Sequence, residues 1–522
     1  MESEIKSMIM KYLILLSTIV FFICSCTNGN IKEYDRIEEE VDIFPDYKNI
    51  TIPRNIAPLH FRIENDGGAY SVLLSVKDQI ESPEIDGNLV RMSLKKWKKL
   101  LSSMAGDTIY VSVLIQESSG WKRYKSFYWY VSNDEIDRYM SYRLIDPGYE
   151  SWGRMSVQMR NISNYSESPI FDNRFSGSGC MNCHTYNHNN PEEFMFHIRG
   201  KPGGTVVKTR NRLQFFDTRS DFTMSAGVYP AWHPSGKLIA MSVNRIGQFF
   251  SRDPGKTIEV VDFASDLIVF NIEKKEITTC PQISTRDKET MPCWSADGDY
   301  LYFIKSPEWK DTTKLTDFKY DLFRIHYDVQ NNTWGEVETV FEASRLGKSI
   351  SMPRISPDGR FMLLTLTEYG NFTIHHLDAD LCMYDLELEQ FFPLLNVNSD
   401  HVDSYHSWST SGKWILFSSK RLDGVCSRPY IAHIDQYGNA SKAFVVPQKD
   451  PDYYNLTTQS FNRPELMTGP VSISQYRIHQ LIYKEPERIT FDPSVDLDAL
   501  SGATKFSDEY RYKGSEPYIN TD

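Results

Sequence analysis

Four copies of one short motif, with a run of alternating strands ahead of them, predict an all-β protein. Pro230-Ala231-Trp232-His233-Pro234-Ser235-Gly236 recurs as Pro292-Cys293-Trp294-Ser295-Ala296-Asp297-Gly298, as Pro353-Arg354-Ile355-Ser356-Pro357-Asp358-Gly359 and as His406-Ser407-Trp408-Ser409-Thr410-Ser411-Gly412. Each copy precedes an apolar strand: Leu238 to Val243, Tyr300 to Ile304, Phe361 to Leu366 and Trp414 to Ser418. The closing turn takes Gly for its positive φ, and the Trp or Ile packs between neighbouring sheets. A four-stranded unit of this kind cannot bury its faces alone, whereas a ring of them can. The closing glycines are 62, 61 and 53 residues apart. A minimal propeller blade takes roughly 40 to 45 residues, so each unit here carries an insertion. With a weak fifth copy beginning at Pro464-Glu465-Leu466 and strands from Thr205 to Phe216, the count favours six blades over five or seven.

The chain begins with Lys6 and Lys11 ahead of an apolar run from Tyr12 to Ile23 that ends in Ile23-Cys24-Ser25-Cys26. This run is shorter than the about 20 residues needed to span a bilayer, and reads as a cleaved signal over 1–25, with an uncleaved signal anchor as the alternative. Ile23-Cys24-Ser25-Cys26 resembles a bacterial lipobox, and the resemblance implies that Cys26 is the lipidated new N-terminus and that the mature chain is anchored by lipid. Glu2 and Glu4 are out of place in such a signal, and translation from Met8 removes them. Thr27 in place of Asp favours the outer membrane, with the periplasmic or surface face open. Residues 26–50 are dense in Asp and Glu and read as an acidic tether.

Residues 51–133 read as a small β-sandwich of immunoglobulin or fibronectin type, with strands at Leu59–Ile63, Ala69–Val76, Leu89–Ser93, Thr108–Gln116 and Lys122–Val131. A helix from Leu94 to Met104, capped by Ser93, interrupts them. Residues 134–202 read as a connecting segment, 203–485 as the propeller, and 486–522 as a polar tail partly ordered on it.

The connecting segment carries Cys180-Met181-Asn182-Cys183-His184, the C-x-x-C-H order that receives covalent haem c. Two thiols add to the porphyrin vinyl groups and the histidine becomes the proximal axial ligand. His197, flanked by Phe194 and Phe196, is the expected distal ligand, with Met195 and His188 as alternatives. Zinc held by Cys180, Cys183, His188 and His197 is the rival, but only four residues separate Cys183 from His188 where zinc fingers have about a dozen. A disulfide or a free thiol pair is the third possibility. Cys280, Cys293, Cys382 and Cys426 are scattered and read as buried thiols.

Elsewhere, His375-His376 with Asp378 and Asp380 either binds metal or belongs to a polar loop. No G-x-S-x-G elbow and no acid/base pair stands out, which argues against an enzyme. A net charge of −12 with no basic block argues against nucleic acid as a partner.

The repeat, the lipobox, the sandwich and Cys-Met-Asn-Cys-His-Thr followed by Phe-His-Ile-Arg-Gly together resemble a family of Bacteroidota-type lipoproteins with TolB-like β-propellers, some carrying one haem-c motif. The blade resemblance covers about Gly203 to Tyr483; His406, where other copies have Pro, departs from it. These readings give an envelope lipoprotein whose propeller docks an unknown protein or redox partner, with one haem for electron transfer or sensing. The alternatives are a non-redox scaffold for protein or glycan, its motif empty or zinc-bound, and a haem enzyme of peroxidase type.

Overall fold

The computed structural model describes residues 31, 33–77, 79–146, 153–220, 223–250, 258–308, 310 and 314–501. The expected signal, Cys26 and the end of the tail lie outside them.

The N-terminal part is built from two sheets. In the larger, Asp107–Glu117 pairs antiparallel with Ala69–Val76, Gly120–Lys125 and Phe127–Ser132. In the smaller, Phe61–Ile63 lies between Ile43–Phe44 and Leu89–Arg91. Alternation along the central strand sends Ile109, Val111, Val113 and Ile115 into one core with Trp97 and Trp129. Both indoles are buried, so both N–H groups need acceptors, and each finds a carbonyl: Trp97 donates to Ile56 at 2.9 Å and Trp129 to Tyr47 at 2.7 Å. The expected helix forms at Leu94–Ser103, and the Ser93 hydroxyl accepts from the Lys96 N–H.

The expected acidic tether is corrected here. Asp35–Glu40 adds to the larger sheet, parallel to Gly120–Lys125, and Ile43–Phe44 and Ile50–Pro53 are also strands of the sandwich. Acidic composition misled because these strands lie at sheet edges, where exposed Glu38 and Glu39 keep their charges in water.

The rest is propeller-like: six sheets, each with four antiparallel strands. Sheet I comprises Ser460–Met467, Tyr139–Ile145, Met155–Asn161 and Glu167–Asp172; sheet II comprises Met181–Tyr186, Phe194–Ile198, Gly204–Thr209 and Arg212–Asp217. Sheets III to VI begin with Val228–Trp232, Lys288–Trp294, Ser349–Ile355 and Asp403–Trp408. Each first strand contacts the first strand of the next sheet, and that of sheet VI contacts that of sheet I. Sheet I thus joins the two ends of this region through the pairing of Tyr139–Ile145 with Ser460–Met467.

Residues 134–202 are therefore not a separate connection. They supply three strands of sheet I and two of sheet II, without the Pro-x-Trp-x-x-x-Gly marker that revealed the other sheets. The tail contributes Glu487–Arg488 and Thr490–Phe491, which pair parallel at the outer edges of sheets II and III. The sandwich shares one apolar core with sheets V and VI, and Asp134 bonds His433 of sheet VI at 2.9 Å.

Candidate functional site

Register breaks give the first strands a common geometry. In each of the six, the pairing with the second strand slips once, and one non-glycine residue at the slip has φ between 50° and 57°: Cys183, Tyr229, Met291, Met352, Tyr405 and Arg463. Such a bulge bends the strand and re-aims its side chain. A left-handed non-glycine residue costs about 1 kcal/mol, so six of them must be held by their surroundings.

These side chains gather where the first strands meet. Tyr229, Met291, Met352 and Tyr405 share one apolar cluster. The Arg463 guanidinium lies 5.9 Å from the Tyr405 ring centre. Burial raises the phenol pKa of both tyrosines, and the nearby Cys183 thiol adds to it.

The residues just after the break flare outward and line a funnel of about 450 Å³ to which all six sheets contribute. Tyr186, Trp232, Trp294 and Trp408, three positions past the break in their strands, give it an aromatic wall. Sequence reasoning assigned the three tryptophans to packing alone. They are buried, as expected, and also face this space. Arg354 and Glu465, two positions past the break, are the charged groups of the wall. Sequence reasoning missed both. The signal was available, since the equivalent positions hold Thr185, Ala231, Cys293 and Ser407, none of them charged.

The C-x-x-C-H run takes the same place in sheet II. Cys183 is the break residue and His184 the next, in register with Pro230, Pro292, Pro353, His406 and Pro464. Cys183 is 4 % exposed and His184 2 %. The Cys180 and Cys183 thiols are free. Both ring nitrogens of His184 are buried without a hydrogen-bond partner. Burial lowers its pKa to about 3, helped by the charges of Arg463 and Arg143, and the Arg463 backbone opposes this weakly without hydrogen-bond geometry to the ring. Arg143, whose charge reaches this ring, also has its Nε buried without a partner. Orphaned polar atoms cost about 1–3 kcal/mol each, so the His184 imidazole lacks the partner that a buried ring normally has.

The distal half does not assemble. Phe194, Phe196 and Ile198 face sheet I, which places the alternating Met195 and His197 on the face toward sheet III. His197 Nδ1 bonds the Thr205 hydroxyl at 2.9 Å, and the ring lines a small cavity with Tyr229 and Asn244 of sheet III. Desolvation lowers its pKa to about 3. His184 feels Arg143 and Arg463, both of sheet I. The two imidazoles are on opposite faces of one sheet, and one iron cannot take both. His188 lies past the strand, in the Asn187–Asn189 turn, where it lines the funnel.

The zinc set of Cys180, Cys183, His188 and His197 is divided in the same way. Among the described residues no group of three or more His, Cys, Asp or Glu side chains is arranged to hold a metal ion. His376 is buried 3.5 Å from Glu259, and Asp378 accepts from the Glu368 N–H. Cys280, Cys293, Cys382 and Cys426 are buried with free thiols.

No protein-family model matches the chain, and no curated protein matches it in sequence. Solved structures do. An oligogalacturonate lyase in complex with manganese matches at 11 % identity, covering 58 % of this chain and 85 % of its own, with a TM-score of 0.30. A periplasmic gluconolactonase of Pseudomonas aeruginosa matches at 12 %, covering 59 % and 96 %, with a TM-score of 0.31. A DUF4784 family protein from Bacteroides caccae matches at 10 %, covering 69 % and 95 %, with a TM-score of 0.27. These are propeller-type folds.

Proposed function

We propose that this protein is a binding scaffold: a six-bladed propeller of TolB-like type, closed by residues 460–467, carrying a sandwich at its side and a ligand seat in its funnel. The observation that carries the reading is the funnel itself, about 450 Å³ and lined from every sheet. Ligand pockets commonly measure about 300–1,000 Å³, with apolar walls and a few placed polar groups. Lipidation at Cys26 tethers the scaffold to the outer membrane in this reading.

Thermal-shift screening of the full chain against a panel of mono- and oligosaccharides and short peptides tests it. Stabilising compounds are expected, and Ala296→Trp, which fills the funnel from its wall, is expected to abolish the shift. Hits that survive the filled funnel, or a panel without hits, would remove the funnel as the seat.

A second reading has its own observation, the orphaned His184. Haem c would be held by thioethers to Cys180 and Cys183 and by His184 at the iron, and would supply one-electron chemistry when bound. Cys183 and His184 are sealed once sheets I and II pack. Attachment must then precede closure by residues 460–467. Co-expression with c-type maturation machinery is expected to give a haem-staining band on a denaturing gel and a Soret band, both lost in Cys180→Ala/Cys183→Ala. Folded apoprotein is expected not to take haem up afterwards. An unstained, colourless product ends this reading and leaves the scaffold untouched.

A further inference from the structure

We propose that the funnel seats a small carboxylate-bearing ring compound, its acid group held by Arg354. This rests on the funnel being the ligand seat. Arg354 belongs to the first strand of sheet V, with Trp294 on sheet IV and Trp408 on sheet VI at either side, and all three line the funnel. The Trp408 indole N–H donates to the Arg354 carbonyl at 2.9 Å, tying the neighbouring strand to this residue.

Among the described residues Arg354 makes no ion pair within 4.0 Å and no side-chain hydrogen bond. It is partly exposed and lines the funnel, and desolvation leads the causes that lower its pKa, with Arg463 adding repulsion. Arg463 is likewise without an ion pair and rests on the Tyr405 ring. The acid that faces both is Glu465. Its carboxylate already accepts from the Tyr186 N–H at 3.3 Å. Burial raises the Glu465 pKa, and the two arginines only moderate this. The Cys183 and Cys293 thiols and the His406 imidazole are further neighbours.

A chain of net charge −12 thus keeps two cations and one engaged carboxylate at its axis. Arg354 is partly exposed to the funnel and makes no ion pair with Glu465, so a carboxylate entering the funnel meets an unpaired guanidinium. A carboxylate matches the planar fork of Arg with two parallel hydrogen bonds. The body of the ligand is set by the wall: Tyr186, Trp232, Trp294 and Trp408 line it with aromatic surface, in a space too small for a folded partner.

Intrinsic tryptophan fluorescence of the full chain, with three indoles on the wall, reads the binding directly. Titration with glucuronate, galacturonate and benzoate is expected to change emission saturably for at least one acid. Glucose, methyl glucoside and inorganic phosphate are expected to do nothing in the same range. Arg354→Gln is expected to weaken the responding acid at least tenfold, and Arg354→Lys to weaken it less. Glu465→Gln keeps an acceptor for the Tyr186 N–H while removing the competing charge, and is expected to tighten the acid two- to tenfold. That second variant keeps the test open if Arg354→Gln does not fold. No response to any acid, an unchanged affinity in Arg354→Gln, a weaker affinity in Glu465→Gln, or equal binding of phosphate overturns the proposal. Saturable binding of glucose that ignores Arg354 overturns it too, yet leaves the funnel as the scaffold's seat.

Discussion

His406 shows how one residue sets an acid sensitivity. It stands where four other first strands carry proline. Its Nε2 lies 2.7 Å from the Met352 carbonyl and 3.0 Å from that of Leu363, so it bears the proton and donates to them. Desolvation, aided by the Arg354 charge, lowers its pKa to about 3. The folded imidazole stays neutral while the unfolded one takes up a proton near pH 6.5, so stability falls as pH drops from about 6.5 toward 3. Between pH 7.5 and 5 this amounts to about 2 kcal/mol. His406→Pro is expected to fold, because residues 405 and 406 lie in the register break and outside the ladder pairs. Its urea midpoint should then fall less than that of the wild type over the same range. Equal losses in the two proteins would disprove the assignment to His406.

Lys288 is a second residue-scale case. Its ammonium is buried 3.1 Å from the Phe318 ring centre and lacks a hydrogen-bond partner. Burial pushes its pKa down, while Asp262 pulls it up, and burial pushes the Asp262 carboxyl up against the pull of Lys288. Asn244 donates to Asp262 at 2.8 Å. Lys288→Met leaves that carboxylate buried and alone, at an expected cost of about 3–5 kcal/mol in unfolding free energy. Adding Asp262→Asn should restore most of it, and a double-mutant cycle by urea denaturation measures the coupling. Additive losses would show that the two groups are independent.

At the scale of the strand, the left-handed residue at each register break is the repeated device. Branching at Cβ makes that conformation worse, whereas Leu and Met differ little in it. Met352→Val should therefore destabilise the protein by about 1 kcal/mol more than Met352→Leu, beyond the smaller volume of Val. Calorimetric melting of the two variants checks this, and equal melting temperatures would deny that the break is strained. The same device explains what was legible in the sequence. Trp232, Trp294 and Trp408 three places after the break, with a Gly turn four places later, gave sheets III, IV and VI, and Pro353-Arg354-Ile355 gave sheet V. In sheet II, Tyr186 takes the aromatic place, and the turn is Asn187-His188-Asn189-Asn190, with His188 and Asn189 at positive φ in place of glycine. The thiols and imidazole that suggested cofactor chemistry hid a copy of the repeat. Asn and His tolerate left-handed φ better than most side chains, which is why a glycine search passed over it. His197 was chosen as a distal ligand by its aromatic flanks, but alternation in a strand sends flank and centre to opposite faces.

For the whole molecule, sheet I decides cohesion. Removing residues 460–522 would leave the Tyr139–Ile145 edge unpaired and uncover the core shared by Phe461, Leu466, Tyr142 and the sandwich. A bare strand edge of this length invites pairing with another chain. The truncated protein is expected to lose its single cooperative melt and to associate, seen by light scattering. A monomeric product melting like the wild type would refute this role. The extent of the sandwich and the position of the closing strand were the least legible features. The first hid in acidic edge strands, and the second depends on a pairing between residues about 320 apart, which no local pattern encodes.

That separation also sets a timetable. The ribosome delivers the chain from its N-terminus, so Tyr139–Asp172 emerges about 290 residues before its partner strand exists. For that interval three strands wait with an open edge, and the two thiols and the imidazole behind them remain within reach of any enzyme that modifies them. The window shuts when the last strand arrives.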